Sequence, residues 1–194
     1  MYKKVVVPLD GSKLAELALP HLEEIARGCS IPDIMLVSVT EKITGKISHG
    51  QTSEPFVPER PVPGALPATG VPQFNVVYNV YAAGRVQDMP MTMGRMAKTA
   101  ADYLCKVADS LGEKGFNVSA TVLVGNPAEQ ITRYLTEKEA DLIVMASTGK
   151  SKISRWNMST IAAKVIKDTC VPVLLVKPPD DFKETRPKRR GIAL

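Results

Sequence analysis

Short β-branched and aliphatic runs alternate along this 194-residue chain with stretches whose apolar residues recur at helical spacing. That alternation is the strongest constraint on its fold. Residues 5–8 (VVVP), 34–39 (IMLVSV), 118–124 (VSATVLV), 142–145 (LIVM) and 171–176 (VPVLLV) are short and apolar on both faces, as buried parallel strands are. Between them, Leu14, Ala18, Leu22 and Ile25 mark an amphipathic helix over 13–27, with Pro20 placed to kink it. Met96, Ala100, Tyr103, Leu104, Val107 and Leu111 mark a long helix over 92–114, closed by Gly115. Asn126-Pro127-Ala128-Glu129 opens another, running to about 139: Asn126 caps, Pro127 fits the first turn, and Glu129 sits where a capping box wants it. A last helix covers 160–167. The order β-α-β-insertion-α-β-α-β-loop-α-β predicts an α/β fold, a doubly wound five-stranded parallel sheet with helices on both faces.

One stretch breaks the rhythm. Residues 41–90 hold seven of the fifteen prolines (Pro55, Pro58, Pro61, Pro63, Pro67, Pro72 and Pro90) and read as a long, mostly irregular insertion. Within it, 74–81 (FNVVYNVY) has the character of a short strand or hairpin arm. The expected organisation is one domain over 1–178 carrying this insertion, followed by a charged, mobile tail over 179–194.

Composition removes several classes. Hydrophobic residues at 44% and charged residues at 23% exclude a disordered chain. The net charge of +5 is partly Lys188, Arg189 and Arg190 in the tail, so it is no nucleic-acid footprint. Cys29, Cys105 and Cys170 form no CxxC pair, which argues against a disulfide framework or zinc site and reads as three buried small apolar residues. His21 reads as a satisfied structural histidine, and His49 has no visible partner. No apolar run approaches the roughly 18 residues of a spanning helix, and the N-terminus lacks a signal-peptide core. A cytoplasmic protein without a membrane segment is expected.

Ligands of doubly wound sheets bind beyond the C-terminal strand ends, where the strand order reverses. In this chain those loops cover 8–12, 39–41 and 146–160. The last is the most informative: Met145-Ala146-Ser147-Thr148-Gly149-Lys150-Ser151-Lys152, then Arg155, and Ser159-Thr160 opening a helix. Small residues, hydroxyls, lysines and a helix N-terminus together can hold phosphate oxygens. A solvated loop in which Ser159 or Thr160 only caps the helix is the plainer alternative. Gly149-Lys150-Ser151 is no P-loop ending, because Val144 stands where that pattern needs glycine. Asp10 at the end of the first strand can accept hydrogen bonds from a ligand or help hold a metal, or it can shape the turn with Gly11. Trp156 reads as a packing residue. With no HxxxH and no G-x-S-x-G, no residue is assigned to catalysis.

These residues resemble the universal stress protein family, of the UspA-domain type. The likeness lies in Val7-Pro8-Leu9-Asp10-Gly11-Ser12, in Ser38-Val39, and in the run from Val124-Gly125-Asn126-Pro127 through Asp141-Leu142-Ile143-Val144-Met145 to Val171-Pro172-Val173-Leu174-Leu175-Val176-Lys177. It spans about residues 1–40 and 95–178 and leaves out the insertion and the tail. The resemblance implies an adenine nucleotide alpha-hydrolase-like, Rossmann-like domain that dimerises through its last strand. It also implies ATP, with Mg, as a ligand. The family's phosphate loop reads G-x-x-G, nine residues, then G-[S/T]; the matching positions here are Ala146, Gly149 and Ser159-Thr160. Carried over, Pro8, Leu9, Asp10 and Val39 border adenine and ribose. Met145, Ala146, Ser147, Thr148, Gly149, Lys150, Ser159, Thr160 and Ile161 border ribose and phosphates. The expectation is a stress-related regulatory protein binding ATP or a related adenine nucleotide. The alternative is a dimeric interaction module of the same fold without nucleotide. ATP hydrolysis finds no clear general base beyond Asp10.

Overall fold

The computed structural model of the chain describes residues 2–40, 77–82, 85–87, 94–147, 161–179 and 182. Expectations for 41–76, for 88–93 and for the tail beyond 182 lie outside the described residues, as do His49, Arg155 and Trp156.

The five expected strands form as β1 (Lys4–Pro8), β2 (Asp33–Thr40), β5 (Asn117–Val124), β6 (Leu142–Ala146) and β7 (Val173–Val176), all parallel to their neighbours among these five. The sheet is wider than five strands. The later part of the insertion adds β3 (Val77–Ala82), antiparallel to β5, and β4 (Arg85–Val86), antiparallel to β3. The order across the sheet is β4-β3-β5-β2-β1-β6-β7. The strand character expected over 74–81 is therefore realised over Val77–Ala82, on the flank of the sheet, with 74–76 outside the described residues.

Period-two alternation sorts the strand residues onto two faces. Val5, Val7, Ile34, Leu36, Val118, Ala120, Val122, Leu142 and Val144 face α2 (Ala18–Gly28) and α3 (Arg95–Glu113), meeting Leu22, Ala101, Leu104, Ala108 and Leu111. Val6, Met35, Val37, Leu123, Ile143 and Met145 face α4 (Pro127–Glu137) and α5 (Ile161–Asp168), meeting Ile131, Tyr134, Leu135 and Val165. A strand buried on both sides needs apolar residues at every position, which is why these runs do not alternate with polar ones.

The single helix expected over 13–27 is two. A one-turn helix, α1 (Lys13–Glu16), ends at Leu17, and α2 follows directly. Pro20 has no N–H to give the Glu16 carbonyl, and its ring crowds that carbonyl, so the break falls one turn ahead of the proline. Elsewhere the local signals hold. The Asn126 side chain accepts from the N–H of Ala128 at 3.2 Å, with Pro127 in the first turn. Gly125 before it has φ +146, a conformation that favours glycine, and a Cβ there would stand 2.8 Å from the Gln130 side-chain amide, which would have to shift. At the opposite end of the sheet, the Asp141 carboxylate accepts from the N–H of Lys3 at 2.8 Å and of Lys4 at 3.0 Å, pinning the chain start to β6.

Two expectations about single residues are corrected. His21 is exposed on α2, since the buried face of that helix is taken by Ala18, Leu22 and Ala26. Only Cys105 of the three cysteines is buried; Cys29 is half-buried past the end of α2, and Cys170 is exposed in the turn before β7. Cys105 lies on the inner face of α3, whereas Cys29 only edges the core from the turn after α2 and Cys170 lies outside it.

Candidate functional site

The chain moves from β1 outward through β2 to β5, then crosses back to place β6 and β7 on the other side of β1. The reversal therefore falls between β1 and β6. Beyond the C-terminal ends of these two strands lies the crevice where such sheets take ligands. Pro8, Leu9 and Asp10 bound it from β1, and Met145, Ala146 and Ser147 from β6. β2 runs further than β1, since Pro8 is level with Val37, so Val39 projects past the end of β1. The structure thus brings seven of the expected residues to one rim. Val39 and Met145 pack on the α4/α5 face, and alternation along β1 puts Pro8 on that face with Val6. Together they make an apolar bed. Ile161 opens α5 and is exposed. Thr148, Gly149, Lys150, Ser159 and Thr160 lie outside the described residues.

The β1 side of the rim is tied down bond by bond. The N–H of Leu9 donates to the carbonyl of Val37 at 2.8 Å, and its side chain is buried against the α2/α3 face. The chain then turns through Gly11 at φ +79, which a side chain would strain. The N–H of Ser12 donates to Asp10 Oδ1 at 2.9 Å, and Ser12 Oγ accepts from the N–H of Ala15 at 3.1 Å, capping α1. Asp10 thus shapes the turn, as one reading of the sequence has it. Its carboxylate is nevertheless exposed, so it can also accept from a ligand. Sequence reasoning assigned no role to Ser12, although a serine three residues before Ala15 and opening a helix is a capping signal.

On the β6 side, Ala146 is the last strand residue and is level with Val176 of β7, and the N–H of Ser147 donates to the Val176 carbonyl at 2.8 Å. The residues with positive φ other than glycine among those described are Ser30 and Glu139. Ala146 is not one of them, so alanine sits there without strain where the family pattern has glycine.

Two further residues near this rim carry no site role in the sequence reading, where Tyr103 only marks a helix face. Tyr103 of α3 donates its hydroxyl to Glu16 Oε1 of α1 at 3.1 Å. Its phenol is held well above the usual tyrosine range, first by burial, then by the Glu16 carboxylate, then by the charge of Asp10. With Tyr103 87 positions beyond Glu16 in the chain, no local pattern announces the contact. An open groove of about 370 Å³ lies between α2 and α3, lined by Glu16, Leu19, Tyr103 and Lys106 among others. Its lining comes from α1, α2 and α3, with no strand residue among the residues that line it.

Among the described residues, no group of three His, Cys, Asp or Glu side chains could hold a metal ion, and no helix is long and apolar enough to cross a membrane.

Comparison with known proteins agrees with this architecture. A universal stress protein of Methanocaldococcus jannaschii is 30% identical over 181 residues, covering 92% of this chain and 84% of that protein. The crystal structure of a universal stress protein family protein from Arabidopsis thaliana with AMP bound matches with a TM-score of 0.55 at 17% identity, over 94% of this chain and 97% of that one. A universal stress protein crystallised in complex with cAMP matches with a TM-score of 0.53 at 16% identity, over 91% and 97%. Residues 74–177, which include β3 and β4 as well as the crossover from β5 to β7, match the Universal stress protein family. The chain belongs to the universal stress protein family.

Proposed function

We propose that this protein is a cytoplasmic regulatory protein that binds ATP or a related adenine nucleotide at the rim between β1 and β6, and that its role is in stress response. The observation that carries the reading is the crevice itself. At the point where strand order reverses, an apolar bed of Pro8, Val39 and Met145 lies beside an exposed carboxylate held in place by Ser12. A planar apolar base fits such a bed, and ribose hydroxyls or the exocyclic amine donate to Asp10. Leu9 supports the turn from below. Ala146, Ser147, Thr148, Gly149, Lys150, Ser159, Thr160 and Ile161 supply the phosphate side, with Mg entering on the phosphates. The AMP and cAMP carried by two relatives of the same fold support an adenine nucleotide as the ligand class.

We further read residues 1–178 as one domain that pairs with a second copy through β7. That strand forms an edge of the sheet, and its Leu175 is 43% exposed. A second reading, an interaction module that has lost the nucleotide, is favoured by Ala146 and Ser159 in place of two family glycines. Calorimetric titration separates the two. The nucleotide reading expects saturable binding of one ATP per chain, weakened about tenfold or more in Asp10→Ala, the factor that 1.4 kcal/mol produces. At a hundred times Kd the folded state gains about 2.7 kcal/mol. No heat and no stabilisation at millimolar ATP would leave the interaction module.

A further inference from the structure

The rim depends on a short turn that leads directly into α1, whose Leu14 is buried and whose Ala15 packs on the core. α1 is a single helical turn, Lys13–Glu16, interrupted at Leu17 before α2 begins. A helix of this length is not stable by itself and takes its geometry from what it touches. Its internal bonds run in series toward the crevice: the N–H of Glu16 donates to the Ser12 carbonyl at 3.2 Å, Ala15 donates to Ser12 Oγ, and Ser12 donates to Asp10. At the far end of the series stands Glu16, and its side chain accepts from Tyr103. Tyr103 is half-buried in the middle of α3, a 19-residue helix whose inner face is fixed by Ala101, Leu104, Ala108 and Leu111. It is a second anchor for α1, beside the buried Leu14. The Tyr103 phenol stays protonated through the physiological range, so it always has a proton to give, and the bond to a carboxylate is of the stronger, charge-assisted kind.

We propose that Tyr103 is a positioning residue for the rim: through Glu16 it holds α1, and through α1 it holds the Asp10–Ser12 turn in the geometry that meets the ligand. The inference rests on the nucleotide reading for its effect on affinity, but its effect on the turn is independent of any ligand.

Tyr103→Phe keeps the ring and removes only the hydroxyl. Amide hydrogen exchange in the protein without nucleotide should then quicken about tenfold at Ser12 and at Ala15 and Glu16, the change that 1.4 kcal/mol of local opening produces. Exchange at Leu104 and Val122 should stay as it was. ATP affinity, measured by calorimetry, should fall by about the same factor. Glu16→Leu should reproduce both effects, Glu16→Gln should restore most of each because its amide oxygen still accepts, and Tyr103→Phe combined with Glu16→Leu should be no worse than either alone. Unchanged exchange at Ser12 in Tyr103→Phe would overturn the proposal. So would a uniform rise that includes Leu104 and Val122, or full additivity of the two substitutions. Should the unsubstituted protein bind no ATP, the nucleotide reading fails, and the exchange data alone decide the role of Tyr103.

Discussion

Leu36 at the centre of the sheet and Val77 on its flank are both aliphatic strand residues, yet Leu36 is fully buried and Val77 is 41% exposed. The contrast extends to the regions around them. β2 has a parallel neighbour on each side and a helix layer on each face. Its Ile34, Met35, Leu36 and Val37 are therefore enclosed from every direction, and shape-filling apolar contact holds the strand. β3 has β5 on one side and only the two-residue β4 on the other, and just one of its faces is covered. Val80 and Tyr81 pack toward α3, and the Cys105 thiol donates to the Val80 carbonyl at 3.6 Å. On its other face, the fastening is polar. Thr121 of β5 donates to Asn79 Oδ1 at 3.0 Å, and the Tyr134 hydroxyl of α4 stands 3.2 Å from the same Thr121 oxygen. With its one proton given to Asn79, Thr121 accepts from Tyr134. One sheet thus combines a core held by packing and a flank held by one packed face and a named hydrogen-bond chain.

Substitutions can break this contrast or sharpen it. Leu36→Ala should cost about 2–5 kcal/mol, since its cavity has no side from which to collapse. Val77→Ala should change stability by less than about 0.5 kcal/mol. Urea denaturation of both proteins checks the pair, and similar losses would remove the distinction. Next in size is the polar chain. Thr121→Val strands the buried Tyr134 hydroxyl and should cost about 1–3 kcal/mol. Tyr134→Phe leaves Thr121 bonded to Asn79 and should cost about 1 kcal/mol. Denaturation read together with exchange at the amides of β3 would test this; a Tyr134→Phe loss as large as that of Thr121→Val would put the proton order the other way round.

How far this contrast was legible in the sequence follows from the same physics. A strand enclosed on all sides must be apolar at every position, so VVV, IMLV and LIVM announced the parallel core unaided. The flank strand mixes valine, tyrosine and asparagine because it is only half covered, and it sits among prolines, so only its strand character could be read. That it would extend the sheet, antiparallel to β5, depends on a pairing that no local pattern encodes. Pro20 signalled a disturbance in the first helix, but a kink and a full break one turn ahead of it read alike in the sequence. Of the three cysteines only Cys105 meets the expectation of burial, because burial is a property of position and not of residue type. At the candidate site, Asp10, Val39 and Met145 were legible as strand ends. The link from Tyr103 to Glu16 was not, because it joins residues far apart in the chain.

The smallest expected effect lies at the end of the sheet opposite the rim. The N–H groups of Lys3 and Lys4 hold the Asp141 carboxyl below its ordinary value of 3.8, and the Lys4 charge adds to this. A carboxyl depressed in the folded state stabilises above the unfolded value, and that contribution is lost as pH falls through the folded one. Asp141→Asn should therefore make the acid limb of the stability profile shallower below pH 3.8 and leave the profile's shape near neutrality unchanged. Acid titration followed by circular dichroism would show it, and an unaltered acid limb would mean that the clamp adds nothing.

The central claim is that an adenine nucleotide sits between the ends of β1 and β6. Titrating ATP into isotopically labelled protein and following the backbone amide resonances tests it most directly. Shifts confined to residues 9–12, 39–40 and 145–147 and to the start of α5, with Asn79, Thr121 and Asp141 unmoved, are the predicted result. Saturation with no movement at Asp10, Gly11 or Ser147, or movement centred on the flank strand, would contradict it.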